Sequence, residues 1–400
     1  MNVTKRWVVL MILLMALALP VSAQDATEEA TEPPVEETDL PGEQPTEEVT
    51  EVPGEEPTEE STAAPTDEPA SEATEPAGPP PAQLPPLPPG AEIVAQGLDY
   101  PRKLVIGPDG RLYVGLVGPG GDSIIQTPDG DMPFGMSASV VAIAEDGTQE
   151  AVIKYLPSAA SIAGAADVAF SEDGLWVIVN GPGPQAVPEF LMSSALLFNA
   201  QDYNLLTYVD LYTYEVTFDP DGNGLDTNPT DIEIGPDGTI YMLDTGANTL
   251  YTWTPEGGLV PFIVWPDNPV PTGLAFDAEG NLWVSYLGAE LAPGAGKVEQ
   301  FSPEGELLAS YGGYNTLTDV AIAPDGSVYV VSLFAGFGPE GPLPGQILRV
   351  GETAGEVVVD GLTAPYGIVV DDAGNLLVST GTSFLPPGAG MILRFTAPAM

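Results

Sequence analysis

From Ala91 onward the chain alternates short apolar runs with tight-turn signals. One unit recurs six times: an apolar run, a turn built on Pro-Asp-Gly or a close variant, and a second apolar run that in five copies carries an aromatic residue. Its first copy is Leu104-Val105-Ile106-Gly107-Pro108-Asp109-Gly110-Arg111-Leu112-Tyr113-Val114, and others occupy residues 168–177, 232–242, 274–284, 320–330 and 368–378. Proline presets φ, aspartate tolerates turn geometry and glycine supplies φ > 0, so each unit is predicted to be a β-hairpin. Further strands are predicted between the hairpins, at residues 139–144, 250–254 and 346–350, with outer strands at 259–264 and 356–359.

The turn glycines Gly110, Gly174, Gly238, Gly280, Gly326 and Gly374 recur at intervals of 64, 64, 42, 46 and 48 residues. The last three intervals match one four-stranded propeller blade, and the first two leave room for insertions. A stacked solenoid fits less well, because the repeats are hairpins separated by further strands. The last unit stops after its third strand, residues 391–395. The missing outer strand is present at the start, as Glu92-Ile93-Val94-Ala95 followed by Gly97-Leu98, which parallels Glu356-Val357-Val358-Val359 followed by Gly361-Leu362. The prediction is an all-β, six-bladed propeller of four-stranded blades over residues 91–400, closed by its own N-terminal strand.

Composition alters the picture at the N-terminus and narrows the chemistry. Lys5 and Arg6, the apolar run 7–19 and Val21-Ser22-Ala23 read as a cleavable export signal, residues 1–23, with an uncleaved anchor as the alternative. Residues 24–90 repeat Thr, Glu, Pro and Ala, hold acidic but no basic or aromatic residues, and are expected to form a disordered linker. The whole chain has 9 Lys and Arg against 58 Asp and Glu, a net charge of −49. Such a surface argues against nucleic acid as a partner, and no later segment is long and apolar enough to span a bilayer. The expected location is secreted, extracellular or periplasmic. Cysteine and histidine are both absent, which removes disulfides, thiol nucleophiles and the commonest general base.

Asn228-Pro229-Thr230-Asp231, then residues 235–241 and Asp244-Thr245-Gly246-Ala247-Asn248-Thr249-Leu250, resemble the ScyD/ScyE family of exported propellers. Leu156-Pro157-Ser158 and Val270-Pro271-Thr272-Gly273 fit the same pattern. The likeness covers residues 91–396 and extends, more distantly, to NHL-repeat and gluconolactonase-like propellers. One branch of the family is associated with extracellular assembly of the pigment scytonemin; the resemblance carries no agreed catalytic residues, and the long acidic linker departs from the family plan.

Candidate site residues follow from the repeat. Seven residues before each turn glycine stand Lys103, Asp167, Asp231, Gly273, Asp319 and Gly367. The first strand of each blade lines the channel, so these positions are expected to ring one solvent-filled mouth, with Arg102 beside Lys103. Asn180 and Asp244, at the ends of second strands, share that face. The turns are expected on the opposite face, as scaffold. Tyr113, Trp176, Tyr241, Trp283, Tyr329 and Leu377 occupy one equivalent position and are expected to pack between blades. Asp167, Asp231 and Asp319 are candidate calcium ligands, as are Asp219, Asp221, Asn223 and Asp226 in an Asp/Gly-rich loop. That loop is not an EF-hand, since its twelfth position is Thr230, and an ordinary turn is the alternative. Two functions remain open: a binding or scaffold propeller for an extracellular small molecule, glycan or protein, and a calcium-assisted hydrolase or lactonase-like enzyme at the same mouth.

Overall fold

A computed structural model describes residues 86–127, 130–159, 162–181, 191–383 and 385–396. The export signal and nearly all of the linker, residues 1–85, lie outside the described residues. The rest is a six-bladed β-propeller.

Each blade is an antiparallel sheet counted outward from the channel. Blade 3 is the plainest: Pro229–Ile234, Ile240–Asp244, Thr249–Thr254 and Gly258–Val264. Its first turn closes through Gly235 N–H to Thr239 O at 2.8 Å and Gly238 N–H to Gly235 O at 2.9 Å. Asp237 Oδ1 accepts Thr239 N–H at 3.0 Å, and Gly238 takes φ 85°, a conformation that favours glycine. Blades 4 and 5 begin with Pro271–Phe276 and Leu317–Ile322. The two long intervals hold insertions. Blade 1, opening with Pro101–Ile106, gains Ser123–Thr127, an extra strand paired to the long Gly130–Ile143. Between blade 2, opening with Ala165–Ser171, and blade 3 lies helix α1, Leu211–Phe218, capped by Asp210, whose Oδ1 accepts Thr213 N–H at 2.9 Å.

Closure follows the expected plan. Glu92–Leu98 pairs antiparallel with Gly390–Phe395, joining Glu92 to Arg394 and Leu98 to Gly390, and becomes the outer strand of blade 6. Inner strands pack against one another around the ring, and Ile368–Val370 of blade 6 returns to Pro101–Ile106.

The core consists chiefly of apolar layers between adjacent blades. Strand alternation sends successive side chains to opposite neighbours. In blade 2, Leu175, Val177 and Val179 face blade 1, while Trp176 and Ile178 face blade 3. The recurring aromatics do this packing: Tyr113 meets Phe170 edge-on at 4.8 Å, Trp176 meets Trp253 at 5.2 Å, and Tyr241 meets Phe276 at 5.0 Å. Each pair spans two blades and adds ring-edge attraction to burial.

Candidate functional site: a closed ionic floor beneath an open channel

The six aligned positions do converge on the axis. Lys103 reaches across from blade 1, pairs with Asp231, and donates to Asp319 Oδ1 at 2.9 Å and Thr272 O at 2.7 Å. Each aspartate also latches its blade to the next. Asp167 Oδ2 accepts Ile232 N–H at 2.9 Å, Asp231 Oδ2 accepts Leu274 N–H at 2.8 Å, and Asp319 Oδ2 accepts Ile368 N–H at 2.8 Å. The acceptor is always at the aligned position and the donor always one residue past that position on the following blade. A layer of hydroxyls repeats the device: Thr272 donates to Leu317 O at 2.9 Å and Thr318 to Tyr366 O at 2.7 Å. Thr230 is bonded to Thr245, which donates to Pro271 O at 2.6 Å.

Two expectations change here. The charged ring is a buried floor, with Lys103 2 %, Asp231 2 % and Asp167 and Asp319 each 5 % exposed, in place of a solvent-filled mouth. Neighbouring blades converge there and their backbone N–H groups occupy the carboxylate oxygens. The open end lies on the opposite face, with the hairpin turns. A channel of about 570 Å³ runs from the floor to that face, lined by the inner strands and Pro108. Its outer ring is Ile106, Phe170, Ile234, Phe276, Ile322 and Val370.

Arg102, Asn180 and Asp244 are likewise buried and engaged. Arg102 lies over the Tyr366 ring at 4.6 Å and reaches Ser383 Oγ at 3.4 Å. Asn180 accepts Gly164 N–H at 2.7 Å and donates to Asn228 Oδ1 at 2.9 Å. Asp244 accepts the Thr227 hydroxyl at 2.6 Å and the N–H groups of Asn228, Gly246 and Ala247.

Burial alone would lower the Lys103 pKa, but the charges of Asp231, Asp319 and Asp167 outweigh it and the net shift is upward. Burial, then the charge of Asp231, pushes Asp167 well above the usual carboxylate range. Burial lifts Asp319 to about 6 against the opposing pull of Lys103. One lining charge escaped the alignment. Glu233 sits two residues past Asp231, where the other blades carry Val105, Ala169, Ala275, Ala321 and Val369. It lies half-buried within the channel, and desolvation, reinforced by Asp231 and Asp319, raises it to about 8. The apolar ring it interrupts is the sequence signal that could have singled it out.

The aligned glycines exist because there is no room for a side chain. A Cβ on Gly367 would stand 2.6 Å from Lys103 Cα and 2.8 Å from Arg102 O. Gly367→Ala should therefore lower the melting temperature by several degrees, the consequence of about 1–3 kcal/mol of overpacking. Calorimetry checks this, and an unchanged melting temperature would show that blades 1 and 6 yield.

Two of the four candidate residues of the Asp/Gly-rich loop cluster with a third acid. Asp219 and Asp221 come together with Glu215 of α1, a residue outside the expected set. Asn223 donates through Nδ2 to Asp221 Oδ2 at 2.9 Å. Asp226 lies against Gly246, where a Cβ would meet its Oδ1 at 2.6 Å. Desolvation, then Asp244 and Asp221, raises Asp226 to about 8.

No family model matches the chain, and no curated protein does. Solved propellers are similar in shape. Virginiamycin B lyase from Staphylococcus aureus is 14 % identical over 78 % of this chain and 89 % of its own, with a TM-score of 0.44. A gluconolactonase from Xanthomonas campestris is 14 % identical over 76 % and 88 %, with a TM-score of 0.49. A putative glucose dehydrogenase from Thermus thermophilus is 18 % identical over 76 % and 98 %, with a TM-score of 0.48. Likeness at this level attaches no activity to the chain, and the six-bladed architecture stands on its own strand pairing.

Proposed function

We propose that this chain is an exported binding propeller of the ScyD/ScyE kind, whose ligand enters the channel from the hairpin-turn face. The ligand class is an organic cation with an apolar body. The observation that supports this is Glu233, a channel-lining carboxylate in an otherwise aliphatic ring, above a floor of three aspartates with one lysine. The outer ring of Ile106, Phe170 and Phe276 offers apolar contact, and the channel volume lies in the range of small-molecule sites. The calcium-assisted hydrolase alternative is less well supported at this place. An ion on the floor would compete with Lys103 and with backbone N–H groups for the same oxygens.

The test is calorimetric titration of the full chain with a panel of aryl-alkyl ammonium ions, such as phenethylammonium, beside their neutral N-acetyl analogues. The ammonium forms should bind more tightly, and Glu233→Gln should weaken them at least fivefold while leaving the neutral analogues unchanged. Equal binding by wild type and Glu233→Gln, or no saturable binding by any ammonium ion, would sink the reading. Chelator-sensitive turnover of lactones or aryl esters by the same preparation would favour the enzyme alternative.

A pH dependence follows. Glu233 is neutral well below about 8 and ionised above it. Ammonium affinity should therefore rise with pH up to about 8, then level off. Stability should move the other way. A carboxyl raised in the folded state contributes stability that is complete below its unfolded value of about 4.5 and is lost as pH rises through about 8. Both trends should flatten in Glu233→Gln, as followed by titration and thermal melting from pH 5 to 9.

A further inference from the structure

We propose that Glu215, Asp219 and Asp221 form a calcium site that staples helix α1 to the loop following it and, through Asn248, to blades 3 and 4. One carboxylate oxygen from each of the three lies within 4.8 Å of the other two. Ligands on opposite sides of a calcium ion stand up to about 5 Å apart, so one ion spans this set. Clustered acids on a surface loop would mean little by themselves. Glu215 is the independent observation: its side chain is buried, with the residue 1 % exposed, and its Oε1 has no hydrogen-bond partner. Its other oxygen has only a long contact, 3.5 Å, from the Tyr251 hydroxyl. A buried carboxylate oxygen without a donor is costly, and a cation removes the cost.

The local structure prepares the other two ligands. Asp219 caps the helix C-terminus in left-handed conformation, φ 41°, and its N–H returns to Glu215 O at 2.9 Å. Both its carboxylate oxygens accept Gly224 N–H, at 3.1 and 3.2 Å, which folds the loop back. Asp221 is held by Asn223 N–H at 2.9 Å and by Asn248 Nδ2 at 3.0 Å. Asn248 Oδ1 in turn accepts Val270 N–H at 3.3 Å, at the entrance to blade 4. No lysine or arginine bonds to any of the three acids among the described residues. Hard oxygen ligands without histidine or thiolate suit calcium. The site is separate from the channel and stands whether or not the channel binds a cation.

Terbium, a calcium substitute whose luminescence is excited through nearby aromatic rings, provides the assay on the full chain. Residues 24–90 contain no aromatic residue, so acidic groups of the linker contribute no sensitised signal. Tyr251 contacts Glu215 directly, and Tyr214 packs on Tyr251 with ring centroids 5.3 Å apart. Wild type should show a saturable signal that calcium displaces at roughly 10⁻⁴–10⁻³ M, the range of extracellular modules. Glu215→Gln, which keeps the side-chain shape, should weaken it at least tenfold. Asp219→Asn should do the same, whereas Glu233→Gln in the channel should not. Calcium should also slow chymotryptic cleavage near Phe218, which is 63 % exposed at the helix end. Absence of a displaceable signal in wild type, or wild-type affinity in a folded Glu215→Gln, would overturn the proposal.

Discussion

Removal of residues 91–98 should cost more stability than any single substitution in the protein. The strand Glu92–Leu98 is the outer edge of blade 6, and it ties the beginning of the domain to its end. Ala95 and Leu98 are 3 % and 2 % exposed and pack in one cluster with Leu377 and Ile392 of blade 6 and Leu104 and Leu112 of blade 1. Those two side chains contribute about 2–4 kcal/mol by burial alone. The deletion also leaves Gly390–Phe395 as an unpaired edge, a template for association with other chains. We expect a fall in melting temperature above 10 °C together with higher oligomers in size-exclusion chromatography. Leu98→Asp, which keeps the backbone pairing and removes the apolar anchor, should lose part of this stability and stay monomeric. A deletion variant that melts like the wild type would mean that the ring does not depend on its closing strand.

Lys103→Met should be the most damaging substitution on the channel floor. It removes the cation shared by Asp231 and Asp319 and leaves both carboxylates buried without it. Breaking a buried pair from one side typically costs about 3–5 kcal/mol, since the remaining charge must be desolvated alone. At about 2 °C or somewhat more per kcal/mol for a domain of this size, the melting temperature should fall by roughly 6–12 °C. The loss should depend on pH. Lys103 opposes the burial that raises Asp319, so without it Asp319 favours its protonated form more strongly, and the deficit should shrink on acidification towards pH 4 and widen above pH 7. Adding Asp231→Asn to Lys103→Met should recover part of the stability at neutral pH. A pH-independent deficit would instead point to lost packing of the lysine stem.

The same residues show how far the chain can be read from its sequence. Hairpins, their number and the closing strand were legible, because turn chemistry and strand alternation are local properties repeated six times. The alignment that singled out Lys103, Asp167, Asp231 and Asp319 was legible for the same reason, and so was the interblade packing of Tyr113, Trp176 and Tyr241. The roles of the aspartates were hidden. Their partners are backbone N–H groups of Ile232, Leu274 and Ile368, which carry no side-chain signature and come within reach only when the blades close. Thr272 and Thr318, each one residue before an aligned position, likewise donate to backbone carbonyls of the next blade, which carry no side-chain signature.

Which end of the channel opens was also beyond the sequence, since alternation along a strand is the same read from either end. Only the convergence of the blades decides that the Lys103 end is shut and the Ile106 end is open. Glu215 is the clearest case. The helix that carries it is eight residues long and lies in an insertion outside the repeat, so no alignment of blades could bring it forward. Its proximity to Asp219 and Asp221 comes from the left-handed cap at Asp219 and the fold of the loop behind it. Local turn and strand chemistry is written in every repeat and determined the architecture. Burial, charge pairing and the direction of access depend on residues distant in sequence, and were decided only when the ring closed.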